Sequence, residues 1–206
     1  MQKQNILPLF LLILTAILWT ILAISPLDRH DWLMENILFF VFSTAIMATY
    51  KKFRFSNSSY ILIAIFMILH LIGAHYTYAK VPFGFWISDL FNLERNHFDR
   101  IIHFSFGLFL FFPVKELLTR SLNLQGFWKY YLSIDFILCF SGFFEILEWI
   151  FTLRVSPELR QAYLGMQGDV WDAQKDMALA FLGSVAGVLI SWSCGFLKQK
   201  FTSDSH

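Results

Sequence analysis

The fold is decided most clearly by residues 168–194, GDVWDAQKDMALAFLGSVAGVLISWSC. Asp169, Asp172 and Asp176 follow one another at i, i+3 and i+7, which places their carboxylates on one face of a helix. The apolar run behind them is long enough to cross a bilayer. Because ionisable groups at a membrane boundary are costly, the segment predicts both a membrane span and a functional site at its start.

The composition of the whole chain is typical of a polytopic membrane protein. Of its 206 residues, 57% are hydrophobic and 25 are phenylalanine. Soluble domains are about 45–50% apolar, and the excess in this chain lies in long runs. The formal net charge is only +1, and no basic patch with interleaved aromatic residues exists. These two observations exclude a nucleic-acid partner.

Six apolar runs fit spans of about 20 residues each. They are predicted near residues 6–24, 32–50, 60–77, 99–118, 129–151 and 172–196. The first run is longer than the apolar region of a usual signal peptide, so it is interpreted as a retained span. Gly183 and Gly187 lie four residues apart in the last run, a spacing that favours close helix packing within the bundle. The sequence therefore predicts an all-α integral membrane protein, a single domain over residues 1–206 built as a six-helix bundle.

The charged residues indicate how the bundle lies in the membrane. Lysine and arginine are slightly more frequent on the side of the N-terminus, where Lys51, Lys52 and Arg54 form a compact anchor in a short loop. Both termini are therefore predicted to be cytoplasmic. Most of the acidic residues fall on the opposite side, and acidic residues do little to set topology. Their distribution predicts a shared polar site that faces outward.

Two outer loops are predicted to contain short interfacial helices. Residues 82–97 carry aromatic and aliphatic side chains at a rough spacing of three to four, which suits a helix at the headgroup boundary. In the second loop, Ser156 and Pro157 are typical of a helix start and Gly165 of a helix end.

Further ionisable residues are predicted to meet the aspartates at the outer end. Asp99 and His103 lie at i and i+4 on the fourth span, and His75 lies near the outer end of the third. Carboxylates and imidazoles together suit a hard or borderline divalent cation such as magnesium, manganese or zinc. The residues predicted to bind it are Asp99, Asp169, Asp172, Asp176 and His75.

Acid–base catalysis is the second chemistry that these residues predict. Glu145 and Glu148 lie at i and i+3 on the fifth span, and neighbouring carboxylates in a dry pocket push their pKa values apart. His103 joins them as a ligand or proton carrier. Arg100, with Lys175, is predicted to hold an anionic group such as a phosphate.

Simpler roles stay open for several of these residues. The glutamate pair could face water, and Asp169 could serve only the positive end of its helix. His103 could be a hydrogen-bonded packing residue. His70 is interpreted as a structural histidine bonded to a neighbouring helix, and Arg95 as part of a solvated loop.

Four motifs follow one another along the chain. They are His70-x-x-Gly73-Ala74-His75-Tyr76-x-Tyr78, Phe98-Asp99-Arg100-x-x-His103-Phe104-x-x-Gly107, Glu145-x-x-Glu148-Trp149 and Gly168-Asp169-x-Trp171-Asp172-Ala173-Gln174-Lys175-Asp176-Met177. On these motifs the chain resembles the YjdF-type family of bacterial inner-membrane proteins, over nearly its whole length. The resemblance implies a multi-pass protein of the bacterial inner (plasma) membrane and no established activity.

A weaker similarity runs to the VanZ-like proteins, which are associated with glycopeptide-antibiotic tolerance. Those proteins show an Asp-Lys/Arg-x-x-His-Phe opening, a later glutamate, and an aspartate before a Gly-rich span. The counterparts here would be Asp99, Arg100, His103, Glu145 or Glu148, and Asp172 or Asp176. Trp149 follows Glu148 where that family's pattern would have glutamine. The similarity favours the cell envelope as the setting.

The favoured hypothesis is a membrane-embedded hydrolase or transferase. Its substrate would be a lipid or lipid-linked envelope molecule at the outer leaflet. One alternative is a proton-coupled carrier or transporter, in which titratable residues mark the path. Another is a noncatalytic membrane scaffold or sensor. The sequence leaves the metal, the reaction and the oligomeric state open.

Overall fold

The computed structural model describes residues 6–153, 167 and 169–203. Within these residues the chain forms seven α-helices and no strand, which confirms the all-α prediction. The helices are α1 (Ile6–Leu22), α2 (Arg29–Thr49), α3 (Asn57–His75), α4 (Pro82–Phe91), α5 (Phe98–Leu122), α6 (Trp128–Thr152) and α7 (Asp172–Ser203).

Five of the described helices are long and apolar enough to cross a membrane. They are α2, α3, α5 and the segments Trp128–Ile150 of α6 and Asp172–Cys194 of α7. Helix α1 is also apolar, but its 17 residues span only about 26 Å against a hydrocarbon core of about 30 Å. Five of the six predicted spans are thus confirmed as helices of sufficient length. The remaining span, the first in the chain near residues 6–24, stays a prediction. The cytoplasmic location of both termini also stays a prediction.

Side-chain caps fix where the second and third helices begin. The carboxylate of Asp28 accepts hydrogen bonds from the backbone N–H groups of His30 and Asp31 at the start of α2. The hydroxyl of Ser56 accepts one from the backbone N–H of Ser59 at the start of α3. Such caps satisfy N–H groups that have no partner within the helix.

The predicted helix in the first outer loop is confirmed as α4. It begins with proline at its first position and ends at Asn92, whose φ of 51° is a left-handed conformation that asparagine tolerates well. Gly84 and Ser88 are buried against the bundle, whereas all four aromatic residues of the helix are exposed. Its position at the headgroup boundary stays a prediction. The second predicted outer helix, near 156–165, lies outside the described residues.

Helices α5 and α7 form the most extensive helix pair in the described part of the bundle. Gly107 of α5 lies against the carbonyl oxygen of Ala180, and Gly183 of α7 lies against the carbonyl oxygen of Phe104. A Cβ atom at either glycine would collide with the facing backbone. Gly187 packs against the ring of Phe111. The predicted close packing of the glycine pair within the bundle is confirmed.

This close packing positions the ionisable residues. Asp99 and His103 lie two turns and one turn from Gly107 on the same face of α5, because residues four apart share a helix face. Asp176 lies one turn from Ala180 on α7. Since Gly107 and Ala180 are in contact, the two polar faces meet at the adjacent turns.

Replacing Gly107 with alanine is expected to lower the free energy of unfolding by about 1–3 kcal/mol, the usual cost of overpacking. The added Cβ would collide with the carbonyl oxygen of Ala180. Gly142→Ala is the matched control, since its Cβ would meet only Met177 Sδ at 3.3 Å. Both variants gain the same helix propensity. Thermal unfolding in detergent measures the difference, and equal melting temperatures for the two variants would contradict the prediction.

Candidate functional site

Three side chains at the α5–α7 contact are spaced like a metal-binding group. One ligand atom each from Asp99, His103 and Asp176 lies within 4.8 Å of the other two. His103 and Asp176 are buried, and Asp99 is half-buried. Ligands bound to one ion at about 2.0–2.2 Å lie roughly 3–4 Å apart, so a small adjustment would let these atoms share an ion. Two carboxylates and one imidazole suit manganese or zinc, and magnesium with added water.

Two buried carboxylate oxygens at this group lack a hydrogen-bond donor among the described residues. They are Oδ1 of Asp176, whose residue is only 2% exposed, and Oε1 of Glu145. The latter oxygen lies 3.5 Å from Nε2 of His103. A buried acceptor without a partner is costly, so these two oxygens are suited to a cation or to a proton.

Glu145 and Glu148 lie one turn apart on α6, and both are half-buried. Oε1 of Glu145 lies beside His103, and Glu148 lines the same cavity as His103. The predicted pair therefore faces the inside of the bundle near His103, rather than water alone.

Arginine and lysine side chains hold the other two aspartates. Arg95 binds Asp172 through two bonds, from Nη1 to Oδ1 at 2.5 Å and from Nη2 to Oδ2 at 3.3 Å. Nη2 of Arg100 lies 2.5 Å from Oδ2 of Asp169, and Nζ of Lys175 lies 2.6 Å from the same oxygen. Two-pronged arginine–carboxylate contacts of this kind are both strong and specific in geometry.

Asp169 lies just ahead of the membrane-spanning part of α7. The hydrogen bond from Lys175, supported by the backbone N–H of Trp171 and the nearby charge of Arg100, lowers the pKa of Asp169 to about 2. This carboxylate is therefore ionised throughout the physiological pH range.

The structure thus separates the predicted metal ligands into two sets. Asp99 and Asp176 lie together with His103, whereas Asp169 and Asp172 are engaged by cationic side chains. The prediction that Arg95 belongs to a solvated loop is wrong. Its side chain is 10% exposed and pairs with an aspartate whose side chain is 4% exposed.

His75 was also predicted to bind the metal, but the structure does not bring it into this group. Its Nδ1 atom lies 2.8 Å from the carbonyl oxygen of Leu22 at the end of α1. The ring packs against that of Tyr76, with centroids 4.5 Å apart. His75 therefore connects α3 to α1.

A second polar group lies between α2 and α3. The sequence did not predict it as part of the site. Nε2 of His70 is 3.1 Å from the carbonyl oxygen of Glu35, which confirms the predicted bond to a neighbouring helix. The hydroxyl of Tyr78 lies 2.5 Å from Nδ1 of His70 and 3.4 Å from Oε2 of Glu35. Burial, together with the nearby Glu35, raises the pKa of Tyr78 well above its usual range. Its phenol therefore stays protonated.

A cavity of about 80 Å³ lies between the Asp99–His103 group and the His70–Tyr78 group. Its walls come from α2, α3, α5 and α6. Its polar lining consists of His70, Tyr78, Asp99, His103, Ser141 and Glu148. Its apolar lining consists of Leu38, Phe66, Ile102, Phe106, Phe140 and Phe144. This volume can hold several water molecules.

One wall of this cavity adjoins the membrane-facing surface. Phe140 of α6 lines the cavity and is also 50% exposed. Leu38 of α2 lines it as well, although α2 and α6 form no extensive interface with each other in the described part of the chain. Phe140 therefore reaches both the cavity and the outer surface of the bundle.

Comparison with known proteins supports a membrane setting. A family described as "Predicted membrane protein (DUF2238)" matches residues 7–195. The inner membrane protein YjdF of Escherichia coli (strain K12) is 33% identical over 172 residues, which cover 81% of this chain and 80% of that protein. No solved structure matches the chain. The resemblance to the YjdF-type family and the multi-pass inner-membrane location are both confirmed.

Proposed function

Because the chain belongs to the DUF2238 family of predicted membrane proteins, we propose that its buried polar site works within a bilayer. The proposed activity of the protein is that of a metal-dependent hydrolase or transferase. Its substrate is a lipid or lipid-linked envelope molecule in the outer leaflet. The observation that carries the proposal is the convergence of Asp99, His103 and Asp176 around an unsatisfied buried carboxylate oxygen.

The proposed topology has six spans in a single domain over residues 1–206. Helix α1 is the first of these spans, and both termini are cytoplasmic. The basic residues Lys51, Lys52 and Arg54 lie at the end of the bundle opposite the carboxylates, which favours this orientation. The site then faces the outer surface.

Asp99, His103 and Asp176 would hold the ion. Polarisation of a phosphoryl or carbonyl oxygen, and activation of water, is the chemistry that a divalent ion supplies in such a site. Glu145 would take the proton of the attacking water, because its Oε1 atom has no donor among the described residues. Glu148 lies one turn along α6 from Glu145 and lines the same cavity, where it would add a second carboxylate.

Arg100 would position the anionic headgroup. Its Nε atom is buried and donates to no acceptor in the described part of the chain, although Nη2 binds Asp169. A guanidinium group has five N–H donors, so a phosphate could bind Arg100 without displacing the aspartate.

The cavity supports a lipid substrate rather than a water-soluble one. Phe140 lines the cavity and is also half exposed on α6, so a hydrocarbon chain could enter from the membrane beside it while its headgroup stays near Asp99 and His103. This arrangement joins an apolar entrance to a polar interior.

A proton-coupled carrier is the alternative, and one observation favours it. The hydroxyl of Tyr78 connects His70 and the carboxylate of Glu35, a chain of groups that can pass a proton. Both polar groups lie at one end of the bundle, however, whereas a transport path must continue to the other end.

Metal content tests the proposal. The protein purified in detergent and incubated with magnesium, manganese or zinc is expected to retain close to one ion per chain, measured by mass spectrometry. Asp176→Asn should reduce this to background, because it removes a central ligand. The metal-loaded protein should then release headgroups from membrane lipids or lipid-linked sugars, and Asp176→Asn should not.

The matched control is Asp89→Asn, the same chemical change at an exposed position of α4. It should retain both the metal and the headgroup release. Equal metal content in the two variants would contradict the metal site. Proton uptake by proteoliposomes without any headgroup release would instead favour the carrier.

A further inference from the structure

A larger cavity, of about 420 Å³, lies between α1, α2 and α3. On α2 its lining runs from Phe39 to Tyr50, at the end of the helix away from the carboxylates. That length of helix rises about 16 Å, close to half of the hydrocarbon thickness of a bilayer. The cavity therefore has the depth of one leaflet and is separate from the site described above.

The lining of this cavity is almost wholly apolar through most of its depth. Helix α1 contributes Pro8, Leu9, Leu11, Leu12 and Thr15, and helix α3 contributes Ile63, Ala64 and Met67. The hydroxyl of Thr15 is already satisfied, because it donates to the carbonyl oxygens of its own helix. The interior therefore favours a hydrocarbon chain, and its volume is in the range of ligand cavities, about 300–1,000 Å³.

The mouth of the cavity is aromatic and positively charged. Tyr50, Arg54 and Tyr60 line it, and the guanidinium carbon of Arg54 lies 5.0 Å from the centre of the Tyr50 ring. Lys51 and Lys52 are exposed in the same loop. Tyrosine and basic residues at this depth are typical of the level of lipid headgroups.

No carboxylate neutralises Arg54 in the described part of the chain. Glu116 binds Ser56, two residues after Arg54, and its carboxylate is already engaged by other groups. Its Oε2 atom accepts hydrogen bonds from the hydroxyls of Ser56 and Ser59, and its Oε1 atom pairs with Arg120 at 2.6 Å. The positive charge at the mouth is therefore available to an anion.

We propose that this cavity binds one acyl chain of an anionic phospholipid, whose phosphate lies against Arg54 and the adjoining lysines. An apolar groove of one-leaflet depth with a basic mouth matches both parts of such a molecule. A zwitterionic lipid would fill the groove but would lack the net charge that the mouth favours. This site is independent of the proposed catalytic function, since it lies at the other end of the bundle.

Native mass spectrometry tests this site. The protein in mild detergent is titrated with dioleoyl-phosphatidylglycerol or with dioleoyl-phosphatidylcholine. The expected result is one anionic lipid per chain, bound at least tenfold more tightly than the zwitterionic lipid. Arg54→Gln should lower the affinity for the anionic lipid about fivefold. This factor corresponds to about 1 kcal/mol, the contribution of one basic residue at a membrane surface.

Two further variants sharpen the test. Lys129→Gln removes a positive charge at the same end of the bundle but outside the cavity lining, so it should leave the lipid preference unchanged. Ser43→Phe places a large ring inside the cavity and should abolish binding of the one anionic lipid per chain. Arg54→Gln keeps the proposal testable if Ser43→Phe does not fold.

Several outcomes would overturn the proposal. Equal affinity for the two lipids would mean that the cavity is filled by bulk lipid without selection. Equal effects of Arg54→Gln and Lys129→Gln would show that the charge of Arg54 at the mouth does not select the lipid. A lipid-free dimer that excludes lipid would assign the cavity to a second copy of the chain. Asp176→Asn should retain the lipid preference, so a failure of the catalytic proposal is distinguishable from a failure of this one.

Discussion

Asp172→Asn is expected to lower the free energy of unfolding by about 3–5 kcal/mol, the usual cost of breaking a buried ion pair. The change removes the carboxylate that binds Arg95 through two hydrogen bonds. The guanidinium also lies 3.7 Å from Asp169, a longer contact that does not replace the two lost bonds. Chemical or thermal unfolding in detergent measures the loss.

The double variant Arg95→Gln/Asp172→Asn should recover most of that stability, because neither partner is then left charged and buried. Lys175→Gln is the control, since it breaks an ion pair with a lysine side chain that is 49% exposed. Such an exposed pair contributes less than about 1 kcal/mol. If the double variant were no more stable than Asp172→Asn alone, the pair would not be the cause of the loss.

Adding manganese or zinc at about one hundred times the dissociation constant is expected to raise the free energy of unfolding by about 2.7 kcal/mol. The reason is that the folded protein alone brings Asp99, His103 and Asp176 together. Asp176→Asn should remove this metal-dependent gain. Thermal unfolding with and without a chelator measures it.

The same variant should behave in the opposite way without metal. Asn at position 176 adds no charge beside Asp99 and Glu145, so Asp176→Asn should be at least as stable as the wild-type protein in the presence of chelator. Asp89→Asn should keep the full metal-dependent gain. A metal-free Asp176→Asn protein that is much less stable than wild type would show that the aspartate has a structural role instead.

Helix periodicity predicted the part of the site that lies on regular spans. The four-residue spacing of Asp99 and His103 placed both on one face of α5, and the glycine pair of α7 indicated close packing. Their combination is what brings His103 and Asp176 together. Which faces meet was not predictable, because it depends on the contact between Gly107 and Ala180.

Arg95 and Tyr78 show why the rest could not be predicted. Arg95 lies in a loop, where no periodicity indicates a direction, and its partner is 77 residues away in the sequence. Tyr78 lies in a turn with a left-handed φ of 48°, and its contact with Glu35 joins residues 43 apart. Contacts of this kind are set by tertiary packing, which one sequence does not reveal.

The arginine–aspartate pair also bears on how the chain enters the membrane during synthesis. Helix α7 is made after the other described helices, and its first turns carry acidic groups that oppose transfer from the insertion machinery into lipid. Arg95 has already been made by then, just ahead of α5. We therefore expect α7 to enter the membrane more readily when the segment ahead of α5 is present, because Arg95 supplies the positive charge that pairs with Asp172.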